Sequence, residues 1–464
     1  MKKALFISLI TLISFNFANA QNIVGSWRGN LKFQNVEMRI VFNISLKDSI
    51  YIATMDSPDQ GVKGIPLESV TFTNNMSVKI VHSPLMVEYN GIYMGNKIIG
   101  TFSQGGMTSS LELTSAPESG PKRPQEPKGP FPYSQEEVLI INKIDSIVLS
   151  GTFTYPNNGG KHKAVVLISG SGPQNRDSEI MGHKIFHVIA DYLTRNGIAV
   201  LRVDDRGVGK SGGTFANSTS LDFAQDVKSA IEYLKGRSDV AEIGLIGHSE
   251  GGSIAPMVAS ECSDVSFIVL MAAPGVTGRE IIVTQSEQIY AASGMAPEQI
   301  GKVMEVNKAM LDLVTPDKDV AIIEKELYDL IKNLTGNTVT DQEIKRQIAQ
   351  VTTPWMRYFL NHDPRLVLAK VKCPVLAING TKDLQVASKT NLDAIYFALT
   401  GKKRDENNSV TRYNNSVTVI EFEGLNHLFQ KCETGLPMEY SKIEETINPE
   451  VLTAISNWIK GLNE

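Results

Sequence analysis

The chain has 464 residues, 42% of them apolar and 20% charged, with a formal net charge of −5. That length allows two or three domains, and the balance excludes a disordered chain, a fibre and a mainly electrostatic nucleic-acid binder. Three cysteines, Cys262, Cys373 and Cys432, are too few and too scattered for a disulfide framework or a clustered cysteine zinc site.

Met1-Lys2-Lys3 is basic, Ala4 to Phe17 is mostly apolar, and Ala18-Asn19-Ala20 has the small-x-small form of a cleavage site. The pattern predicts a secretory signal peptide over residues 1–20. Its apolar stretch is shorter than the roughly 20 residues that a spanning helix needs. Residue 21 is Gln, so a lipoprotein anchor has no cysteine to attach to. Removing the first 20 of 464 residues leaves 444 and takes the net charge from −5 to −7. No later segment offers 18 uninterrupted apolar residues. The mature chain is therefore expected to be exported, periplasmic or secreted, with no membrane span and no essential disulfide.

Residues 21–115 read as an all-β domain. Leu31 to Phe33, Met38 to Leu46, Ser49 to Thr54, Val70 to Thr73, Ser77 to Val81, Tyr89 to Tyr93, Lys97 to Phe102 and Ser110 to Leu113 are expected strands, punctuated by Gly, Asn, Asp and Pro. Such a series suggests a small barrel or sandwich. Gly25-Ser26-Trp27 resembles the opening of lipocalin-like barrels, with Trp27 read as a side chain buried at a barrel end or as part of a ligand site. Substrate binding, shielding of a pocket and homodimer formation all stay open as roles for this domain. Ala116 to Pro132 carries six prolines and is read as an extended, semi-rigid linker.

After Tyr133 the pattern becomes α/β. Val138 to Ile141 and Ile147 to Thr154 predict a hairpin around Asn142–Asp145. Ala164 to Ser169, Ile198 to Val203, Ile243 to Ile246, Phe267 to Ala272, Val375 to Asn379 and Val417 to Phe422 are short apolar runs, with helical stretches around 183–196, 222–236, 250–261, 388–399 and 448–461. This alternation predicts a mostly parallel sheet flanked by helices. Residues 276–366 are helical by pattern and read as a cap inserted between two sheet strands.

Gly247-His248-Ser249-Glu250-Gly251 follows a strand and precedes a helix, which is the context that Gly-x-Ser-x-Gly requires. A sharp strand-to-helix turn forces the serine backbone into strained torsions, and glycines two before and two after leave room for it. A serine hydroxyl needs a general base. Of seven histidines, 82, 162, 183, 187, 248, 362 and 427, His427 stands in the loop after the last strand, and His362 at the end of the cap is its rival. Asp383 follows the strand Val375 to Asn379 and is the expected orienting acid; a turn or helix-cap role is its bland alternative. The order Ser249, Asp383, His427 suits this architecture. The expected oxyanion donors are the backbone N–H groups of Glu250 and Ser171, with Gly172 second to Ser171. Each such donor contributes about 3–4 kcal/mol of transition-state stabilisation. Glu250 could stay solvated, pair with Arg176 or Arg206, or repel anionic substrates. Arg176 and Asp177 face the substrate or form a local ion pair. Gly209-Lys210-Ser211 lacks the glycine that a phosphate loop needs at position 204, so nucleotide binding is rejected.

Four stretches, Ser169 to Asp177, Asp204 to Ser211, Gly247 to Gly252 and Leu425-Asn426-His427, resemble the α/β-hydrolase superfamily. More narrowly, the chain is similar to exported bacterial esterases related to dienelactone hydrolases and S33/S9-type serine peptidases. The resemblance spans about Val138 to Gly461 and implies an α/β-hydrolase fold, a Ser-His-Asp triad and hydrolysis of short- to medium-chain carboxylic esters, with no metal or cofactor. It also implies that Asp205 or Arg206 buttresses the active-site loops. Many relatives carry His-Gly where Ser169-Gly170 stands here. Pro354 to Leu360 resembles an aromatic-rich stretch of these esterases and either lines the pocket or packs on the sheet. A serine aminopeptidase-like enzyme with the same triad, and a binding protein whose β-domain captures a lipid or glycan, are the alternatives.

Overall fold

The computed structural model describes residues 23–33, 36–47, 50–73, 77–115, 122–335, 339–405, 408–414 and 416–463. The expected signal peptide lies outside these residues, as do residues 116–121 of the expected linker. The chain divides into two compact units, residues 1–120 and 121–464.

In the first unit, strands β1 (Gly25–Phe33), β2 (Val36–Lys47), β3 (Ile50–Ser57), β4 (Val62–Pro66), β5 (Ser69–Thr73), β6 (Ser77–His82), β7 (Val87–Tyr93), β8 (Lys97–Gln104) and β9 (Met107–Ser115) form one antiparallel sheet in the order β4-β3-β2-β1-β9-β8-β7-β6-β5. Leu67 and Glu68, which join β4 to β5, donate N–H bonds to Ala53 O on β3 (2.9 Å) and Val81 O on β6 (3.0 Å). The sheet thus curls back on itself as a half-barrel. Alternation along the strands turns Phe42, Ile80, Tyr89, Ile98 and Leu113 inward, where they are fully buried. Trp27 belongs to this core; its indole N–H donates to Ile23 O at 2.7 Å and its ring stands edge-on to Tyr93. The sequence reading lacks β4, because Val62-Lys63-Gly64-Ile65-Pro66 carries Gly and Pro and is mostly exposed at the sheet edge.

The second unit opens with the expected hairpin, β10 (Tyr133–Asn142) and β11 (Ile147–Pro156), whose turn is fixed by Ile144 and Asp145 N–H groups donating to Asn142 Oδ1. Then come β12 (His162–Ile168), the two-residue strands β13 (Glu179–Ile180) and β14 (His183–Lys184), α1 (Ile185–Arg195), β15 (Ala199–Val203), α2 (Ser220–Lys235), β16 (Val240–His248), α3 (Glu250–Ala259) and β17 (Val265–Met271). Six helices lie between β17 and the next strand: α4 (Gly278–Ala292), α5 (Pro297–Leu313), α6 (Val320–Thr335), α7 (Asp341–Val351), α8 (Pro354–Asn361) and α9 (Pro364–Leu368). The unit ends with β18 (Val375–Gly380), α10 (Ser388–Thr400), β19 (Val410–Tyr413), β20 (Val417–Phe422) and α11 (Pro449–Lys460).

The large sheet runs β10-β11-β15-β12-β16-β17-β18-β20-β19, parallel from β15 to β20 and antiparallel at both edges. Its mostly apolar central strands fit burial on both faces. On one face Val165, Leu167, Val269 and Met271 pack against α1 and α11; on the other Val166, Leu245, Leu270 and Ala377 pack against α2, α3 and α10. The inserted helices have a core of their own, with Leu311, Val314, Ile323, Leu327, Ile344 and Ile348 buried together. Among the described residues no helix is long and apolar enough to cross a membrane, and Cys262, Cys373 and Cys432 are all free.

The Pro-rich segment departs from the expected spacer. From Lys122 onward it is held within the second unit. The Arg123 guanidinium donates to the carbonyls of Met181, Gly182, Ser441 and Ile443 at 2.6–3.3 Å. Gln125 accepts from the N–H groups of Thr446 and Ile447 and donates to Ile447 O. The prolines keep this strip extended, and the polar side chains between them satisfy loop carbonyls that would otherwise need water.

Candidate active site

The loops that follow the carboxyl ends of β12, β16, β18 and β20 converge, the usual place for a site in an open parallel sheet. Ser249 sits at the turn from β16 to α3 with φ 55° and ψ −120°, a region that costs a non-glycine residue about 1–3 kcal/mol. A Cβ on Gly247 would lie 2.0 Å from Gly251 O, and one on Gly251 would lie 2.2 Å from Ile168 O. Both obstacles are backbone, so only glycine fits at either position. Bonds from Ser249 N to Met271 O and from Gly252 N to Ser249 O, each 2.9 Å, fix the turn. The Ser249 hydroxyl makes no bond to the helix that it caps.

Asp383 is buried just after β18. Its Oδ1 accepts from the N–H groups of Gln385 (2.8 Å) and Val386 (2.9 Å), and its Oδ2 lies 2.8 Å from His427 Nδ1. A carboxylate at that distance puts the ring proton on Nδ1 and leaves Nε2 as the acceptor. The His427 loop is shaped by Asn426, whose Oδ1 accepts from the N–H groups of Leu428 and Gln430.

His248 adds a part that the sequence reading did not assign. Its ring centroid lies 4.9 Å from that of His427, and its Nε2–H donates to His427 O at 3.0 Å. Burial above all, and the facing His427, hold its pKa down to about 3, so it stays a neutral donor that anchors the His427 backbone.

Ser249, His427 and Ser171 border one cavity of about 550 Å³, which Trp355 and Phe359 of the cap help to line. Those two rings stack with centroids 5.1 Å apart, so the aromatic stretch of the cap lines the pocket. Gly170 lies against the nucleophile; a Cβ there would stand 3.1 Å from Ser249 Cβ. Ser171, the next residue, is on the cavity wall, whereas Gly172 is not among the lining residues.

Residues 180–404 match the family model of serine aminopeptidases, S33. Over that stretch the chain is similar to α/β hydrolases. It is 26% identical over 313 residues to Esterase EstD of Thermotoga maritima, covering 67% of this chain and 65% of that protein. It therefore spans slightly less than two thirds of that relative's length. It is also 28% identical over 211 residues to the AB hydrolase superfamily protein YisY of Bacillus subtilis, covering 44% of this chain and 70% of the other. Among solved structures, the esterase Pf2001 of Pyrococcus furiosus aligns at 15% identity and a TM-score of 0.44, over 74% of this chain and 98% of that one.

The charged neighbours of Ser249 differ from two of the sequence expectations. Glu250 neither stays solvated nor pairs with arginine. It is buried, its Oε1 accepting from Ser220 Oγ (2.6 Å) and Trp355 Nε1 (2.8 Å). Burial dominates and pushes its pKa up. Arg176 is taken by Asp204 and Glu137, Arg206 by Asp226 and Asp145, and Asp177 by the buried Arg202. Arg176 and Asp177 are thus each held in ion pairs, but with other partners and not with one another.

Asp205 holds the loop after β12 at both ends. Its Oδ1 accepts from Ser169 Oγ (2.7 Å) and its Oδ2 from Gln174 N (2.8 Å). Burial pushes its pKa up to about 7, against the bonds from Ser169 and Gln174, with Glu250 and Asp226 adding their repulsion. This is the buttress role that the family resemblance implied. His362, the rival base, is stacked on Tyr358 with Nδ1 3.2 Å from the Tyr358 hydroxyl, and it borders a separate cavity on the cap. His183 is buried between Tyr440 O and Thr446 Oγ1, and His82 caps a turn of the β-unit.

Proposed function

We propose that this protein is an exported serine hydrolase that cleaves carboxylic esters, with short to medium acyl chains, through Ser249, His427 and Asp383. One observation carries the reading. A strained, uncapped serine opens onto the same cavity as a histidine whose far nitrogen is already bonded to a buried carboxylate.

In this mechanism His427 Nε2 takes the hydroxyl proton as Ser249 Oγ attacks the ester carbonyl. Asp383 holds the reactive tautomer and stabilises the imidazolium. The N–H groups of Glu250, at the first turn of α3, and of Ser171 receive the oxyanion. The tetrahedral species collapses, the alcohol leaves with the proton from His427, and a water activated by the same imidazole releases the acid. The apolar and aromatic cavity wall favours an uncharged acyl group. The basic-apolar-small order of residues 1–20 supports export.

The decisive experiment is hydrolysis of p-nitrophenyl esters from C2 to C12 by the parent and Ser249→Ala. A preferred chain length and a loss of about 10⁶ in turnover on losing the nucleophile are expected. Equal rates for the two proteins refute the assignment. The aminopeptidase reading draws on the S33 family match; Ser249-dependent cleavage of an aminoacyl-nitroanilide, without cleavage of any ester, favours it.

A further inference from the structure

The Glu250 side chain joins two parts of the unit that the sequence separates widely. Ser220 begins α2, and Trp355 lies in the first turn of α8 in the cap. Both donate to one carboxyl oxygen, Oε1, and no cation shares it among the described contacts. Trp355 is the one from the cap. Its indole is held from both sides, by the carboxyl at 2.8 Å on its N–H and by the Phe359 ring stacked 5.1 Å away at an interplanar angle of 7°. The same two rings line the cavity that Ser249 borders.

We propose that Glu250 is a positioning residue whose carboxyl group latches the cap to the nucleophile turn through Trp355, and so sets the depth of the cavity that receives the acyl chain. This duty belongs to the side chain and is separate from that of the backbone N–H. The latch needs an acceptor facing Trp355 and does not need a charge. An amide oxygen in the place of Oε1 serves as well, because it accepts from the same Ser220 hydroxyl and Trp355 indole. A side chain without an acceptor leaves the indole N–H buried and unbonded, and the cheapest relief is for Trp355 to swing away from the turn. The aromatic wall then recedes and longer chains fit.

The consequence for acyl selection rests on the esterase reading, so the test has two arms. The first is hydrogen–deuterium exchange of the full chain, which needs no turnover. In Glu250→Ala and Trp355→Phe, amides of residues 354–361 should exchange about tenfold faster or more, while β17 and α11 keep their rates. Glu250→Gln should stay within about threefold of the parent. Unchanged exchange in α8 of Glu250→Ala overturns the latch. The second arm is the ratio of kcat/KM for the C10 ester to that for the C4 ester. It should rise at least about tenfold in Glu250→Ala and Trp355→Phe, chiefly through KM, and return to the parental value in Glu250→Gln. Faster exchange with an unmoved ratio overturns the selectivity role. A parent with no Ser249-dependent ester turnover overturns the esterase reading and the selectivity role with it, and leaves the exchange arm to decide the latch.

Discussion

Asp205 offers a test in which structure and solution behaviour are tied by one titration. In the fold its carboxyl has a pKa of about 7 rather than the ordinary 3.8, because burial outweighs the bonds from Ser169 and Gln174. A folded-state pKa raised above the unfolded one means that the native chain binds the proton more tightly. The associated stability is present at low pH and is lost as pH rises through 7. Between pH 5 and pH 8 these two values give a loss of at most about 2.5 kcal/mol. For a unit of this size that is a fall of up to about 5 °C in Tm. Asp205→Asn removes the titration yet keeps the geometry satisfied. The amide oxygen accepts the Gln174 N–H, and the amide NH₂ donates to a rotated Ser169 hydroxyl. Calorimetry at pH 5, 6, 7 and 8 on both proteins measures the difference directly. The expected result is that the variant's Tm gains on the parent's by up to about 5 °C from pH 5 to pH 8. A constant difference across that range refutes the argument, since it means that Asp205 is ionised throughout, as an ordinary loop carboxylate would be.

Three further outcomes follow from named contacts. Asp383→Asn should lower kcat by about 10³–10⁴ with KM little changed, because the amide stabilises the wrong tautomer of His427; stopped-flow ester hydrolysis reads it. Gly251→Ala should lose both activity and several degrees of Tm, since its Cβ would meet Ile168 O at 2.2 Å and Ser169 O at 2.6 Å, and the loop carrying Ser171 must move to admit it. Trp27→Phe should cost the β-unit about 1–2 kcal/mol through the lost bond to Ile23 O, visible as faster amide exchange confined to residues 25–47.

The hydrolase core was legible because its chemistry is local. A nucleophile turn needs glycines at fixed offsets, and the strands around it are continuous apolar runs, so Ser249 and its setting could be read from a few residues. Asp383 and His427 were readable from their places after strands, and the structure brings their side chains to bonding distance. Contacts between distant segments left no such mark. Nothing near Glu250 announces that Trp355, 105 positions away, will donate to it. His248 lies inside the most readable motif of the chain, yet its bond to the His427 carbonyl depends on how two loops meet. The linker shows the opposite error. Its prolines do impose an extended backbone, but Arg123 and Gln125 between them decide that the strip is bound. Strand β19 escaped because Val410-Thr411-Arg412-Tyr413 is a short edge strand with partly exposed faces, where composition says little.

Ser249 makes this fold pull in two directions. The residue occupies a backbone region that suits glycine, at the head of a helix whose first amides its hydroxyl leaves unbonded. By the rules that govern folding alone, glycine is the better residue there, and the protein would be firmer without its proposed nucleophile. Breeding for heat resistance, if survivors were never asked to turn over an ester, would drift toward erasing position 249 and, on the proposed mechanism, hand back a sturdier, inert shell. A directed-evolution campaign on this scaffold therefore has to score catalysis in every round.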